Sequence, residues 1–260
     1  MARSLVGGLL SNQFDQSSII VSDPILQARQ YVSDHFKVSV TADNNKVIEN
    51  SASVILAVKP QVMKQVLQDA QQSLRQHHPL LISIAAGITT DSIDAWSGGG
   101  YAIIRVMPNT PALIQKGISA LYANERVCAD QQQHTESILS AVGKTVWVDE
   151  ESKLDDVTAV SGSGPAYFFY LIEAVQAGAE KLGLDTEDAK LLATETAVGS
   201  AMLAQQSTDS PATLRKQVTS PGGTTEAALN VLESAGVKDT FIQAITGAKN
   251  RAVEMSKHSD

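Results

Sequence analysis

The chain has 260 residues, 43% of them hydrophobic, with 20 Lys and Arg against 28 Asp and Glu and a formal net charge of −8. That length suits one large or two modest domains with full cores, and an acidic chain without a basic patch argues against nucleic acid or an anionic membrane as partner. No apolar run reaches the roughly 18 residues of a spanning helix, no basic-then-apolar leader opens the chain, and the single cysteine excludes an internal disulfide and leaves no Cys/His zinc spacing, so a cytoplasmic protein with no metal is expected.

Residues 4–11 read as a helix and 19–21 as a short strand closed by Ser22-Asp23-Pro24. A helical pattern follows (Leu26, Tyr31, Val32, Phe36), then an extended piece at 38–41 and a helix to about Asn50. Residues 53–58 are continuously apolar and β-branched and stop at Lys59-Pro60, the pattern of a strand buried on both faces. A helix over 61–75, a strand over 80–84, a helix over 90–96 and a strand over 102–106 continue the alternation. Residues 117–122 and 145–148 read as final edge strands, with a helix over about 130–141 between them. Strands separated by helices imply right-handed crossovers and a mostly parallel, doubly wound sheet.

After Val148 the pattern changes. The acidic run Asp149-Glu150-Glu151 leads into a region with no convincing strand, which places a domain boundary between residues 150 and 151. Pro165 opens a long helix that Gly183 closes, and Asp185 caps the next, over 186–205, which is rich in small residues (Ala189, Ala193, Ala197, Gly199, Ser200, Ala201). Pro211 starts a short helix, and a last one covers about 241–256. Apolar stripes this wide in an all-helical region predict packing against a second copy.

In a doubly wound sheet, ligands lie beyond the carboxyl ends of the strands. The residues there are Ser22-Asp23, Ala57-Val58-Lys59-Pro60, Ala85-Ala86-Gly87 and Met107-Pro108-Asn109-Thr110-Pro111. Small residues, prolines and an amide suit the walls of a dinucleotide groove, and each is also an ordinary way to end a strand. Lys59 as a general base and His77-His78 as ligands stand beside a surface reading. The strand and glycine-rich turn that usually open such a domain are not found in these 260 residues.

The stretch Val218-Thr219-Ser220-Pro221-Gly222-Gly223-Thr224-Thr225-Glu226 runs into a helical pattern (Ala228, Leu229, Leu232), with Thr224 or Thr225 as the expected N-cap and Gly236 beyond its end. A helix start offers unpaired N–H groups and a positive dipole end, and glycines let a ligand approach the backbone. A carboxylate or phosphate could dock there; an ordinary capped turn has the same composition. A second cluster, Ser161-Gly162-Ser163-Gly164-Pro165-Ala166-Tyr167, opens the long helix in the same way.

These motifs together resemble the pyrroline-5-carboxylate reductases over essentially the whole chain. The resemblance rests on Ala57 to Pro60, Ser83-Ile84-Ala85-Ala86-Gly87, Arg105-Val106-Met107-Pro108-Asn109-Thr110-Pro111, Ser161 to Tyr167, and the signature Ser220-Pro221-Gly222-Gly223-Thr224-Thr225. It implies a Rossmann-type NAD(P)-binding domain at 1–150, incomplete at its start, then an all-α dimerisation and substrate-binding domain at 151–260. Homodimers formed through the C-terminal helices, and decamers of five dimers, are the implied assemblies. The implied reaction is the reduction of 1-pyrroline-5-carboxylate to L-proline by NADPH or NADH. Carried over residue by residue, Thr225 is catalytic, near the imine nitrogen, with Ser220, Gly222, Gly223, Thr224 and Thr225 on the substrate. Asp23, Asn44, Ala57, Val58, Lys59, Pro60, Ala85 and Ala86 match cofactor positions, and Asn109 joins them from its place at a strand end.

Two departures from the family pattern carry expectations. Without the opening strand and turn, the pyrophosphate lacks its donors, so dinucleotide affinity is expected to be about tenfold or more below that of a chain extended by one strand and one glycine-rich turn. A catalytically impaired dimerising protein is then the reading from another class. Asp23, with no arginine following for a 2′-phosphate, suits a ribose 2′-hydroxyl and weakens the lean toward NADPH. The enzyme rival is a β-hydroxyacid dehydrogenase-type reductase, whose interdomain helix carries a catalytic lysine where this chain has Phe168.

Overall fold

Leu5, Val6 and Leu9 recur on one face of the first helix, α1 (Ala2–Ser11), and that face is buried. The computed structural model describes residues 1–257. After a 3₁₀ turn at Gln16–Ser18 come β1 (Ile20–Ser22), α2 (Leu26–Phe36), β2 (Ser39–Thr41), α3 (Asn44–Glu49) and β3 (Ser53–Leu56). Then follow α4 (Pro60–Asp69), α5 (Gln71–His77), β4 (Leu80–Ser83), α6 (Thr90–Ser97), β5 (Ile103–Met107), β6 (Gly117–Ala123), α7 (Ala129–Ser140), β7 (Gly143–Trp147) and α8 (Lys153–Val157).

The expected alternation is present, with three differences. First, the strands form two sheets, a parallel pair β1-β2 and a five-stranded sheet in the order β3-β4-β5-β6-β7, because no described strand pairs with the second edge of either β1 or β3. Second, β6 lies inside its sheet, antiparallel to β5 and parallel to β7, so of the two strands expected at an edge only β7 is one. Third, the helix expected over 61–75 is broken at Ala70, where ψ is −1°. Met63, Leu67, Ala70 and Leu74 all remain buried across the break, so the apolar periodicity runs on through it and hides it from the sequence.

β4 and β5 form the centre of the core: Leu80, Leu81, Ile82, Ile103 and Ile104 are fully buried, with helices covering both faces. A close approach fixes α1 to the turn before β7. A Cβ on Gly8 would sit 2.5 Å from Val142 Cγ1 and 2.7 Å from the Ala141 carbonyl oxygen. Gly8→Ala is therefore expected to cost about 1–3 kcal/mol by overpacking, read as a lower thermal midpoint; an unchanged midpoint would show that α1 can shift without loss.

The change of pattern near residue 150 does not coincide with the edge of this unit, which comprises Met1–Ser163 and the C-terminal segment from Ala248. The reason is ionic. Glu151 Oε1 accepts from Arg105 Nη1 on β5 (2.7 Å) and from the Thr90 backbone N–H at the start of α6 (2.7 Å), and Oε2 accepts from the Thr90 hydroxyl (2.9 Å). Arg105 is buried, so the acidic run is tied into the first unit and α8 continues it. Burial, and after it the Glu151 carboxylate, push the Tyr122 hydroxyl on neighbouring β6 above the usual tyrosine range.

The second unit, Gly164–Gly247, holds α9 (Gly164–Lys181), α10 (Thr186–Gln206), α11 (Pro211–Gln217), α12 (Thr224–Ser234) and the first part of α13 (Val237–Lys257). Asp185 caps α10 through the Asp188 N–H, Ser210 caps α11 through the Thr213 N–H, and Gly183 takes a left-handed φ of 97°. Ala189 and Ala193 are buried, whereas Phe168, Phe169, Tyr170, Leu191, Leu203 and Val231 are each 60% or more exposed. The small residues of α10 thus divide: Ala189 and Ala193 are covered within the chain, and Gly199 has nothing within 4 Å of where a Cβ would stand.

Candidate active site

In the first unit the strand ends hold two groups of the expected cofactor positions. At the β1-β2 end, the Asp23 N–H donates to the Thr41 carbonyl (3.2 Å) and Asp23 Oδ1 accepts from the Ile25 N–H (2.8 Å). The Ser22 hydroxyl donates to Asn44 Oδ1 at the head of α3, so Ser22, Asp23 and Asn44 share one end of this pair of strands. Arg29 Nη1 donates to the Asp23 carbonyl at 2.6 Å, which places a guanidinium beside Asp23 that the sequence reading did not count.

At the other sheet, β3, β4 and β5 run parallel in register, Leu56 beside Ser83 and Ser83 beside Arg105. That register brings Ala57 to Pro60, Ala85-Ala86 and Met107 to Asn109 to the same end. Ala57 is exposed, Val58 packs on the core, and Ala85 is buried with its N–H on the Ser83 hydroxyl (3.3 Å). Small side chains at this rim leave room for a planar ring or a phosphate chain against the backbone. Lys59 is an exposed N-cap of α4 and Pro60 its first residue, the place where proline's missing N–H costs nothing. His77 ends α5, and His78, its left-handed C-cap, stacks on Tyr101 at 5.7 Å. Asn109 is fully engaged in the fold: Oδ1 accepts from the Ile118 N–H (3.0 Å) and Nδ2 donates to the Ser161 carbonyl (3.2 Å).

In the second unit the loop before α12 differs from its expected form. Gly223 is the N-cap, and Thr224 and Thr225 are the first two helical residues, because Gly223 takes the extended φ of −85° and ψ of 173°. A glycine N-cap has no side chain to satisfy the first N–H groups, and those of Thr224 and Thr225 have no acceptor among the described residues. The two glycine N–H groups are already used. Gly222 donates to Glu226 Oε2 at 2.7 Å, with a left-handed φ of 70° that favours glycine, and Gly223 donates to the Ser220 carbonyl at 3.0 Å. Glu226, at the third helical position, thus reaches back across the turn in the manner of a capping box; the spacing from Gly223 was the available signal for it. The hydroxyls of Ser220, Thr224 and Thr225 have no partner among the described residues, and Thr225 is half-buried.

Residues 151–255 match the family model for pyrroline-5-carboxylate reductase dimerisation, and residues 1–87 match the model for NADP oxidoreductase, coenzyme F420-dependent. The pyrroline-5-carboxylate reductase of Pseudomonas aeruginosa is 44% identical over 257 residues, 99% of this chain and 94% of that one. The chain belongs to the pyrroline-5-carboxylate reductase family. Among solved structures, the pyrroline-5-carboxylate reductase of Coxiella burnetii matches with a TM-score of 0.94 and 43% identity, over 98% of this chain and 94% of that one. The pyrroline carboxylate reductase of Plasmodium falciparum, solved with NADP bound, matches with a TM-score of 0.86 and 27% identity over the same shares. The family's Rossmann-like first part and helical second part are those expected from the sequence. No helix among the described residues is long and apolar enough to cross a membrane.

Proposed function

We propose that the protein reduces 1-pyrroline-5-carboxylate to L-proline with NADPH or NADH, the last step of proline biosynthesis. The observation that carries this reading is the uncapped start of α12, two N–H groups beside a half-buried Thr225 hydroxyl, all without a partner among the described residues. A small carboxylate needs nothing more than such a helix start, which suits an acidic chain without a basic patch. Thr224 and Thr225 hold the substrate carboxylate through their N–H groups, while Glu226 and Ser220 fix the turn by occupying the glycine donors. The Thr225 hydroxyl orients the ring and relays a proton from solvent water to its nitrogen as that nitrogen becomes an amine, taking one from water as it gives one up. Bound reduced nicotinamide supplies the hydride that reaches the imine carbon. The small residues at Ala57, Ala85 and Ala86 fit the cofactor's groove, and Ser22, Asp23 and Asn44 fit its adenosine ribose. The test is consumption of NADPH or NADH that depends on 1-pyrroline-5-carboxylate, with L-proline identified as product; no proline formed with either cofactor would end the reading.

The assembly proposed is a homodimer through the C-terminal helices, extending to a decamer of five dimers, in the cytoplasm. The exposed aromatic and aliphatic residues of α9 and α10 support it, since a surface this apolar is covered in stable proteins. Gly199→Leu is expected to loosen the dimer by about 1–3 kcal/mol, seen in sedimentation at low concentration; an identical oligomer would remove Gly199 from the interface.

A further inference from the structure

Directly after α8 the chain makes a π-helical turn, Thr158–Gly162, closed by the Ser163 N–H on the Thr158 carbonyl at 2.8 Å. Single π turns are uncommon and concentrate at functional positions. Here two residues from the end of β5 hold it. Asn109 is the N-cap of the 3₁₀ turn Thr110–Ile114, yet its side chain makes no capping bond. Its amide instead spans from the Ile118 N–H to the Ser161 carbonyl, 52 residues away. Met107 closes over the next residue so tightly that a Cβ on Gly162 would lie 2.4 Å from the Met107 methyl. Ser161 and Thr158 turn their hydroxyls back to the Val157 and Leu154 carbonyls, at 3.2 and 2.7 Å, so side-chain bonds to the backbone also hold the turn from within.

The location gives this contact its meaning. A doubly wound domain takes one mononucleotide in each half. Asp23 and Asn44 at the β1-β2 end suit the adenosine ribose, which leaves the ends of β4 and β5 for the nicotinamide. We propose that Asn109 and Met107 are positioning residues that seat the π turn at the nicotinamide half of the groove, and that this seat sets where the nicotinamide lies. The inference rests on the cofactor reading above and adds to it the half of the cofactor that these residues control.

The experiment compares two ligands on the full chain: NADPH, and 2′-phospho-ADP-ribose, which lacks only the nicotinamide. Asn109→Asp keeps an acceptor for the Ile118 N–H and loses the donor to Ser161. With the turn no longer tied at Ser161, it is expected to weaken NADPH about tenfold and to lower kcat, with affinity for the fragment held within about twofold. Equal losses for both ligands would mean a purely structural role and overturn the inference, as would unchanged NADPH affinity and turnover. If that variant does not fold, Met107→Ala decides: it removes the side chain that lies over Gly162, so NADPH affinity should fall while affinity for the fragment holds, whereas equal losses for both ligands, or an unchanged NADPH affinity, overturn the proposal. A wild-type chain that binds the fragment and NADPH equally would overturn it too, and one that binds neither would overturn the cofactor reading on which it depends.

Discussion

Thr225→Ala is expected to lower kcat by about 30-fold to 1,000-fold, the 2–4 kcal/mol that follows loss of a donor used mainly in the transition state, with the thermal midpoint unchanged. The two halves of this expectation come from one fact: the Thr225 hydroxyl has no partner among the described residues, so the fold loses no bond when it is removed. Its position, second in α12 beside two open N–H groups, is where a ring nitrogen would lie once the substrate carboxylate occupies the helix start. Thr225→Ser keeps a hydroxyl there and should recover most of the turnover. Steady-state kinetics on the three proteins settle the role, and an alanine variant with wild-type kcat would take Thr225 out of the mechanism.

Glu151→Ala is expected to destabilise the protein by about 3 kcal/mol, the low end of the cost of removing one partner of a buried ion pair, because Arg105 is buried while the Glu151 side chain is 22% exposed. Arg105 on β5 would keep its charge in the core and lose its ion-pair partner, and Thr90 would lose an acceptor for both its N–H and its hydroxyl. For a chain of this size the thermal midpoint should drop by about 10 °C. The Tyr122 hydroxyl should also titrate at a lower pH, since one of the charges that raises it is gone, although burial, the larger cause, remains. A midpoint within about 1 °C of wild type would show that water or another group satisfies Arg105.

The sequence made the elements legible wherever period and punctuation agreed. The apolar run at 53–58, whose first four residues form β3, the capping residues Asp185 and Ser210 and the glycine at 183 each have a local cause. What escaped was tertiary. Glu151 reads as one residue of an acidic run, and nothing nearby announces that Arg105, 46 residues earlier, waits for it. The break at Ala70 preserves the apolar stripe, and the π turn at Thr158–Gly162 is held from a distant part of the chain, by Met107 at the end of β5 and Asn109 just beyond it. In the candidate site, the Ser220 to Thr225 signature located the loop but not which donors stay open, because that depends on Glu226 turning back to Gly222.

The last helix starts in the second unit and finishes in the first. Ser256 donates to Asp155 at 3.0 Å, Lys249 pairs with Asp156 at 2.6 Å, and the ideal Cβ of Gly87 would stand 3.6 Å from Met255. The helical unit is therefore an insertion, with the first unit's own chain on both sides of it, and at the second junction the connection is unbroken α13. A gene fragment ending at residue 163 would encode a first unit stripped of its closing segment, and a protease cutting once at either junction would leave the helical unit still covalently attached to part of the first unit at the other. Recombination could not exchange the helical unit as a terminal cassette; two crossovers would be needed, one of them in the middle of a helix.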